Sequence, residues 1–215
     1  MNKTKFSLTD PLFFGAIWNE EFMTDAQLNK PLLKKYKFRR INKAKNNHRY
    51  QCKFWNNRLD LTIDSEGVAF EPYNIDEENQ QATIDMRCPC VVLTKKEIDY
   101  FISTMNNINY AIENKETHIG IDTSFYEFRK QYSNGAFAFY KNIDDTIQKS
   151  VVFWYDKTGG QICLLQGDKE AIDDVFNYHL KTNLSDGEIY FMKPALHIPL
   201  NLLKTIRIEM EMMPY

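Results

Sequence analysis

Residues 49–70 alternate so regularly that few folds can accommodate them. Tyr50, Cys52 and Phe54 are spaced by Gln51 and Lys53, and Asn56-Asn57 follows as a turn. Leu59, Leu61 and Ile63 then alternate with Arg58, Asp60, Thr62 and Asp64, before Glu66-Gly67 turns the chain into Val68 and Phe70. A period of two puts one set of side chains on each face of a strand. The segment therefore predicts an antiparallel meander with one buried face. Residues 74–81 are polar and read as a loop, and 82–93 as a returning strand.

Other elements follow from punctuation and period. Thr94-Lys95-Lys96-Glu97 has the form of a capping box. It opens a helix whose apolar residues Ile98, Phe101, Ile102, Met105, Ile108, Ala111 and Ile112 hold one stripe. Asp168 caps a second amphipathic helix, with Ile172, Val175, Phe176 and Leu180 inward. A short apolar helix is expected at 11–23 behind Thr9-Asp10-Pro11, and 29–36 fit a helix or a strand. Tyr126, Phe128 and Tyr132, then Asn134-Gly135, then Phe137 and Phe139 predict a hairpin, since Asn-Gly tolerates the positive φ of its turn. Residues 151–155 and 162–165 are apolar on both faces and read as central strands. Residues 188–192 and 206–212 read as final strands. Runs of strands broken by isolated helices indicate an α+β fold, mostly antiparallel, with two main amphipathic helices. The chain reads as two sheet-plus-helix sub-domains, 1–93 and 94–215, or as a single compact domain.

A chain of 215 residues with 43% hydrophobic content can bury a full core, which excludes global disorder. Its 8 glycines weigh against Gly-rich phosphate cradles, and its 4 cysteines are too few for a disulfide scaffold. Lys3 and Lys5 precede an apolar patch at 12–18, but Asp10-Pro11 interrupts and no small-residue cleavage site follows. The longest apolar run, 151–155, is far below the ~20 residues of a membrane helix. A cytoplasmic protein without membrane partners is expected.

Charge is strongly segregated. Residues 1–59 carry 13 Lys and Arg against 4 Asp and Glu, a net of +9, and the remainder carry 14 against 25, a net of −11. The acid-free stretch 26–58 offers Lys37, Arg39, Arg40, Lys43, Lys45, Arg49, Lys53 and Arg58 as an alternative anion-binding set. Nucleic-acid binding needs exposed aromatics for stacking as well as cations for phosphates. Alternation sends Tyr50 and Phe54 away from Arg49 and Lys53, and leaves only Trp55 with the cations. A solvated basic face, or one docked on an acidic surface, is the better reading. The acidic residues Asp64, Glu66, Glu71, Asp76, Glu77 and Glu78 form the candidate partner-binding set, suited to steering a basic protein.

Catalytic spacings are missing from the sequence. There is no G-x-S-x-G, Walker loop, H-E-x-x-H or dinucleotide fingerprint. His48, His118, His179 and His197 are scattered singly, and Asp173-Asp174 and Asp144-Asp145 are neighbours that do not converge on a helix. Cys88-Pro89-Cys90 with His48 and Cys52 departs from zinc-site spacing, so two ordinary strand cysteines are expected, with no metal and no cofactor.

The segment Asp186-Gly187-Glu188-Ile189-Tyr190-Phe191-Met192-Lys193-Pro194-Ala195-Leu196 resembles the C-terminal part of GAD-like immunity proteins associated with bacterial type VI secretion. The family pattern continues into a Gly pair, where this chain has Ile198-Pro199-Leu200. The resemblance implies a cytoplasmic bacterial protein that binds and neutralises a toxin domain without catalysis. The sequence thus points to a non-enzymatic, protein-binding inhibitor, with a nucleic-acid-binding module as the alternative.

Overall fold

The alternation is realised as sheet. The computed structural model describes residues 3–7, 38–42, 44–54, 57–76, 81–84, 90–131, 136–155, 160–174 and 196–213. Contacts divide the chain into two compact units, Met1–Trp18 with Tyr100–Leu200 and Asn19–Asp99 with Asn201–Tyr215. The fold class is α+β with antiparallel pairing throughout the described sheets.

The unit containing residues 38–99 is built on a six-stranded sheet. Strands β2 (Arg39–Arg40), β3 (His48–Phe54), β4 (Asn57–Ile63), β5 (Gly67–Asp76) and β6 (Gln81–Ile84) lie side by side, and β7 (Val91–Thr94) also pairs with β5. Tyr50, Leu61, Phe70 and Val91 fall opposite one another in register, and all four are buried. With Cys52, Leu59, Ile63, Val68 and Leu93 they make the apolar face that the alternation demands. The expected single strand at 82–93 is two. Strand β6 pairs with residues 73–76 of β5 and β7 with residues 67–70, because a ten-residue strand is long enough to carry a short partner at each end.

At the β4–β5 turn the Asp64 carboxylate accepts from the backbone N–H of Glu66 and Gly67, both at 2.8 Å. Gly67 is required here by a close approach. A Cβ on it would stand 2.4 Å from the carbonyl oxygen of Leu93 on β7. Gly67→Ala should therefore push β7 off β5 and cost about 1–3 kcal/mol, measured as a lowered urea midpoint at unchanged slope. An unshifted midpoint would show that this pair is not tightly held.

Helix α1 (Lys95–Glu113) begins at the expected capping box. The Glu97 carboxylate accepts from the Thr94 N–H at 2.9 Å, and Glu97 N–H donates to Thr94 Oγ1 at 3.3 Å. Ile98, Phe101, Met105, Ile108 and Ala111 are buried, and Ile102 and Ile112 half-buried. The helix ends in a Schellman arrangement, with Glu116 N–H bonded to Ala111 O and Lys115 N–H to Ile112 O, and Lys115 at φ 54.

The other unit holds a five-stranded sheet in the order β13-β12-β11-β10-β9, comprising β9 (Glu127–Gln131), β10 (Phe137–Asn142), β11 (Ile147–Trp154), β12 (Gln161–Asp168) and β13 (Leu196–Pro199). A separate pair joins β1 (Lys3–Ser7) to β8 (His118–Asp122). Val151–Phe153 and Ile162–Leu165 are buried on both faces, as expected of central strands. The predicted hairpin is present as β9–β10, although its Asn134-Gly135 turn lies outside the described residues. Helix α2 (Lys169–Asp174) starts where expected. Asp168 caps it by accepting from Glu170 and Ala171 N–H, and Ile172 is buried.

The final strand expected at 206–212 is instead helix α3 (Leu200–Glu211). Ile206, Ile208, Met210 and Met212 imitate a period of two. The complete pattern is helical, since Leu202, Leu203, Ile206 and Met210 are buried while Ile208 and Met212 are exposed. The expectations at 11–23, 29–36 and 188–192, the inward residues Val175, Phe176 and Leu180, and the resembling segment up to Ala195 lie outside the described residues.

Candidate functional site

The exposed side of the six-stranded sheet carries most of the charge that the sequence concentrates in residues 39–71. Phe38 and Tyr50 are buried, whereas Arg39 and Arg49 are exposed on the opposite face; the separation is not complete, since Arg40 falls opposite Tyr50 and Tyr73 shares the outer face with Arg58. Arg39, Gln51, Asp60 and Glu71 form one cross-strand row on this outer face. Within it Asp60 is buried, which the sequence did not indicate. Its carboxylate is clasped by Arg58 through Nε at 2.9 Å and Nη2 at 3.1 Å, and accepts from Gln51 Nε2 at 3.1 Å. The Arg58 guanidinium also lies 4.3 Å from the centroid of the Tyr73 ring, its cross-strand neighbour. Arg58 is thus committed to the protein's own carboxylate. Burial, with Glu71 and Asp60 nearby, raises the Tyr73 hydroxyl above its ordinary value.

The remaining cations divide. Arg40 is exposed, and its guanidinium donates to the carbonyls of Asn42 and Ala44, which shapes the loop before β3. Asn42 completes that loop by donating to Asn47 O and accepting from Arg49 N–H. Lys45 is exposed on the same loop. Lys53 occupies an outer-face register position opposite Arg58, and Lys37 and Lys43 lie outside the described residues.

The acidic candidates are spread out. Asp64 is spent on the β4–β5 turn and Glu66 is exposed beside it, whereas Asp76 sits at the opposite end of β5, about 30 Å along the strand. Glu71 lies between them on the outer face. Glu77 and Glu78 lie outside the described residues, as do Trp55, Cys88 and His179. Cys90 is an exposed free thiol, raised by partial burial and by Glu71. Among the described residues no group of three or more His, Cys, Asp or Glu is placed to hold a metal ion, and no helix is long and apolar enough to cross a membrane.

Two polar clusters join residues far apart in sequence. In the first, Oε1 of Glu209 on α3 accepts from the Tyr50 hydroxyl and lies 2.6 Å from Nδ1 of His48 on β3. A carboxylate acceptor fixes the proton on that ring nitrogen. Burial, then Glu209, pushes the Tyr50 hydroxyl well above its ordinary value. A His–carboxylate pair can orient a general base, but among the described residues no hydroxyl or thiol bonds to His48. The cluster instead fastens α3 to β3. In the second, Arg129 pairs with Asp173 at 2.8 Å and donates to the side-chain oxygen of buried Gln148 at 2.5 Å. Gln148 in turn donates to Asn142, and Ser150 donates to Gln148. This network ties β9 through β11 to α2. Neither cluster is marked by any spacing in the sequence, although a helical reading of 200–211 would have set Glu209 beside inward-facing Met210.

Compared with known proteins, the chain matches no family model and no curated sequence.

Proposed function

We propose that this chain is a non-catalytic protein-binding protein, a cytoplasmic inhibitor of the immunity class that neutralises a toxin domain. The observation that carries the reading is the separation of Arg39 and Arg49, exposed, from Phe38 and Tyr50, buried. On that face Tyr73 is already covered by the Arg58 guanidinium, and exposed cations with no open ring beside them suit recognition of a protein surface better than stacking on nucleic-acid bases. The conversion of Arg58 into the partner of Asp60 further reduces what a phosphate backbone could use. The clusters around Glu209 and Arg129 support a non-catalytic role, because each joins elements of the fold through its own hydrogen bonds.

Affinity capture from native cell extract, with mass spectrometry of the product, tests the reading. The expected product is one protein whose isolated domain arrests growth and is silenced by co-expression of this chain. Recovery of RNA or DNA alone would overturn it. In that case the slope of log affinity against log salt should fall in a variant carrying Ala at Arg39, Arg40 and Arg49, since each lost phosphate contact reduces counterion release.

A further inference from the structure

We infer that the outer face of the six-stranded sheet is the docking surface, and that its occupant is an acidic protein segment carrying an apolar side chain. The inference rests on the protein-binding reading above and names the chemistry of the partner. Ile41 prolongs β2 by donating its N–H to Arg49 O at 2.8 Å. The register then sets Ile41, Arg49, Thr62, Ala69 and Val92 in one row across five strands. Its ends are prominent, with Ile41 47% and Val92 51% exposed. Its middle is low, because Thr62 and Ala69 are small and half-buried. With strands about 4.8 Å apart, Arg49 and Val92 bound a shallow trough about 14 Å wide, floored by a methyl-bearing hydroxyl and a methyl group.

Charge selects the occupant. Arg39 and Arg49 lie two residues apart in register on the cationic side of the trough, and neither makes an ion pair among the described residues. Of the two carboxylates in the row of Arg39, Asp60 is already neutralised by Arg58, and Glu71 lies at the far end on β5. With Glu71 on β5 set against Arg39 and Arg49, the described part of the face keeps a net positive charge on the β2–β3 side of an apolar floor. An incoming segment gains most by offering carboxylates to the two arginines and a Leu-sized side chain to Thr62 and Ala69. The acidic remainder of the chain at −11 repels such a partner elsewhere, which favours this face over other approaches.

The probe is a short peptide of glutamates flanking a leucine pair, titrated into isotopically labelled full-length protein at about 50 mM salt and followed by backbone amide shifts. Shifts should concentrate at Ile41, Arg49, Thr62, Ala69 and Val92. They should weaken about tenfold in apparent affinity in the Arg39→Glu, Arg49→Glu double variant, and stay unchanged in Lys204→Glu on α3. Shifts centred elsewhere, or none at millimolar peptide, would overturn this inference and leave the protein-binding reading standing. An oligonucleotide of equal charge that binds the same residues more tightly than the peptide would overturn both.

Discussion

Phe101→Ala should remove about 3–5 kcal/mol of unfolding free energy, the largest single loss expected from α1. The ring is completely buried. It meets Tyr126 at 5.4 Å between centroids, Phe153 at 5.7 Å and Tyr100 at 5.9 Å, all in tilted or edge-on geometry. Truncation loses the transfer energy of the ring and opens a cavity. Its walls are aromatic residues held in place by one another, since Phe153 also packs on Phe139 and Tyr100 stacks on Tyr126. Such walls collapse poorly. In a chain of this length the corresponding fall in melting temperature is about 6–20 °C. Tyr110→Ala on the same helix is the control. Tyr110 is 61% exposed, and its loss should stay within about 0.5 kcal/mol. If calorimetry found less than about 1 kcal/mol for Phe101→Ala, the aromatic cluster would not be the centre of this unit.

Legibility in the sequence followed the range of the interaction. The meander at 49–70, the capping box at Thr94 and the cap at Asp168 were readable because each is decided within a few residues, by side-chain alternation or by a single acceptor facing backbone N–H groups. The helix at 200–211 was misread because Ile206, Ile208, Met210 and Met212 satisfy a period of two when taken without Leu202 and Leu203. Two apolar side chains left exposed on a helix look, in a short window, like the inner face of a strand. Alternation sets Asp60 on the outer face but does not show its burial, which depends on Arg58 and Gln51 folding over it and which no local pattern encodes. The joining of Glu209 to His48 spans 161 positions and has no counterpart in spacing at all. The charge-bearing face is legible as a pattern, whereas the distance from Asp64 in the turn to Glu71 and Asp76 along the ten-residue strand β5 is not, because proximity in sequence is not proximity along extended backbone.

Stability should decline on the alkaline side, and Tyr50 should account for much of the decline. Its hydroxyl is held above the ordinary value of 10.0 by burial and by the Glu209 carboxylate, with Arg40 acting in the opposite sense. The folded protein therefore keeps a proton that the unfolded chain releases. The stabilisation is complete below pH 10.0 and is lost as pH rises above it, at no more than about 1.4 kcal/mol per pH unit for one tyrosine. Tyr100, raised chiefly by burial, and the more exposed Tyr73 and Tyr140 shift in the same direction, so the wild-type limb reflects all four tyrosines. Tyr50→Phe isolates its own share. The variant should lose about 1–2 kcal/mol at neutral pH, because Glu209 forfeits a donor, and its limb above pH 10.0 should be shallower by one tyrosine's slope. Glu209→Gln keeps the shape and removes the charge. Its limb should begin at the same pH but level off sooner, since burial of Tyr50 persists after the carboxylate is gone. Urea midpoints collected at half-unit steps from neutrality upward separate the three curves. A Tyr50→Phe limb parallel to wild type would mean that the Tyr50–Glu209 bond does not hold the proton in solution, and of the polar links between α3 and β3 among the described residues the His48–Glu209 pair would then be the one that remains.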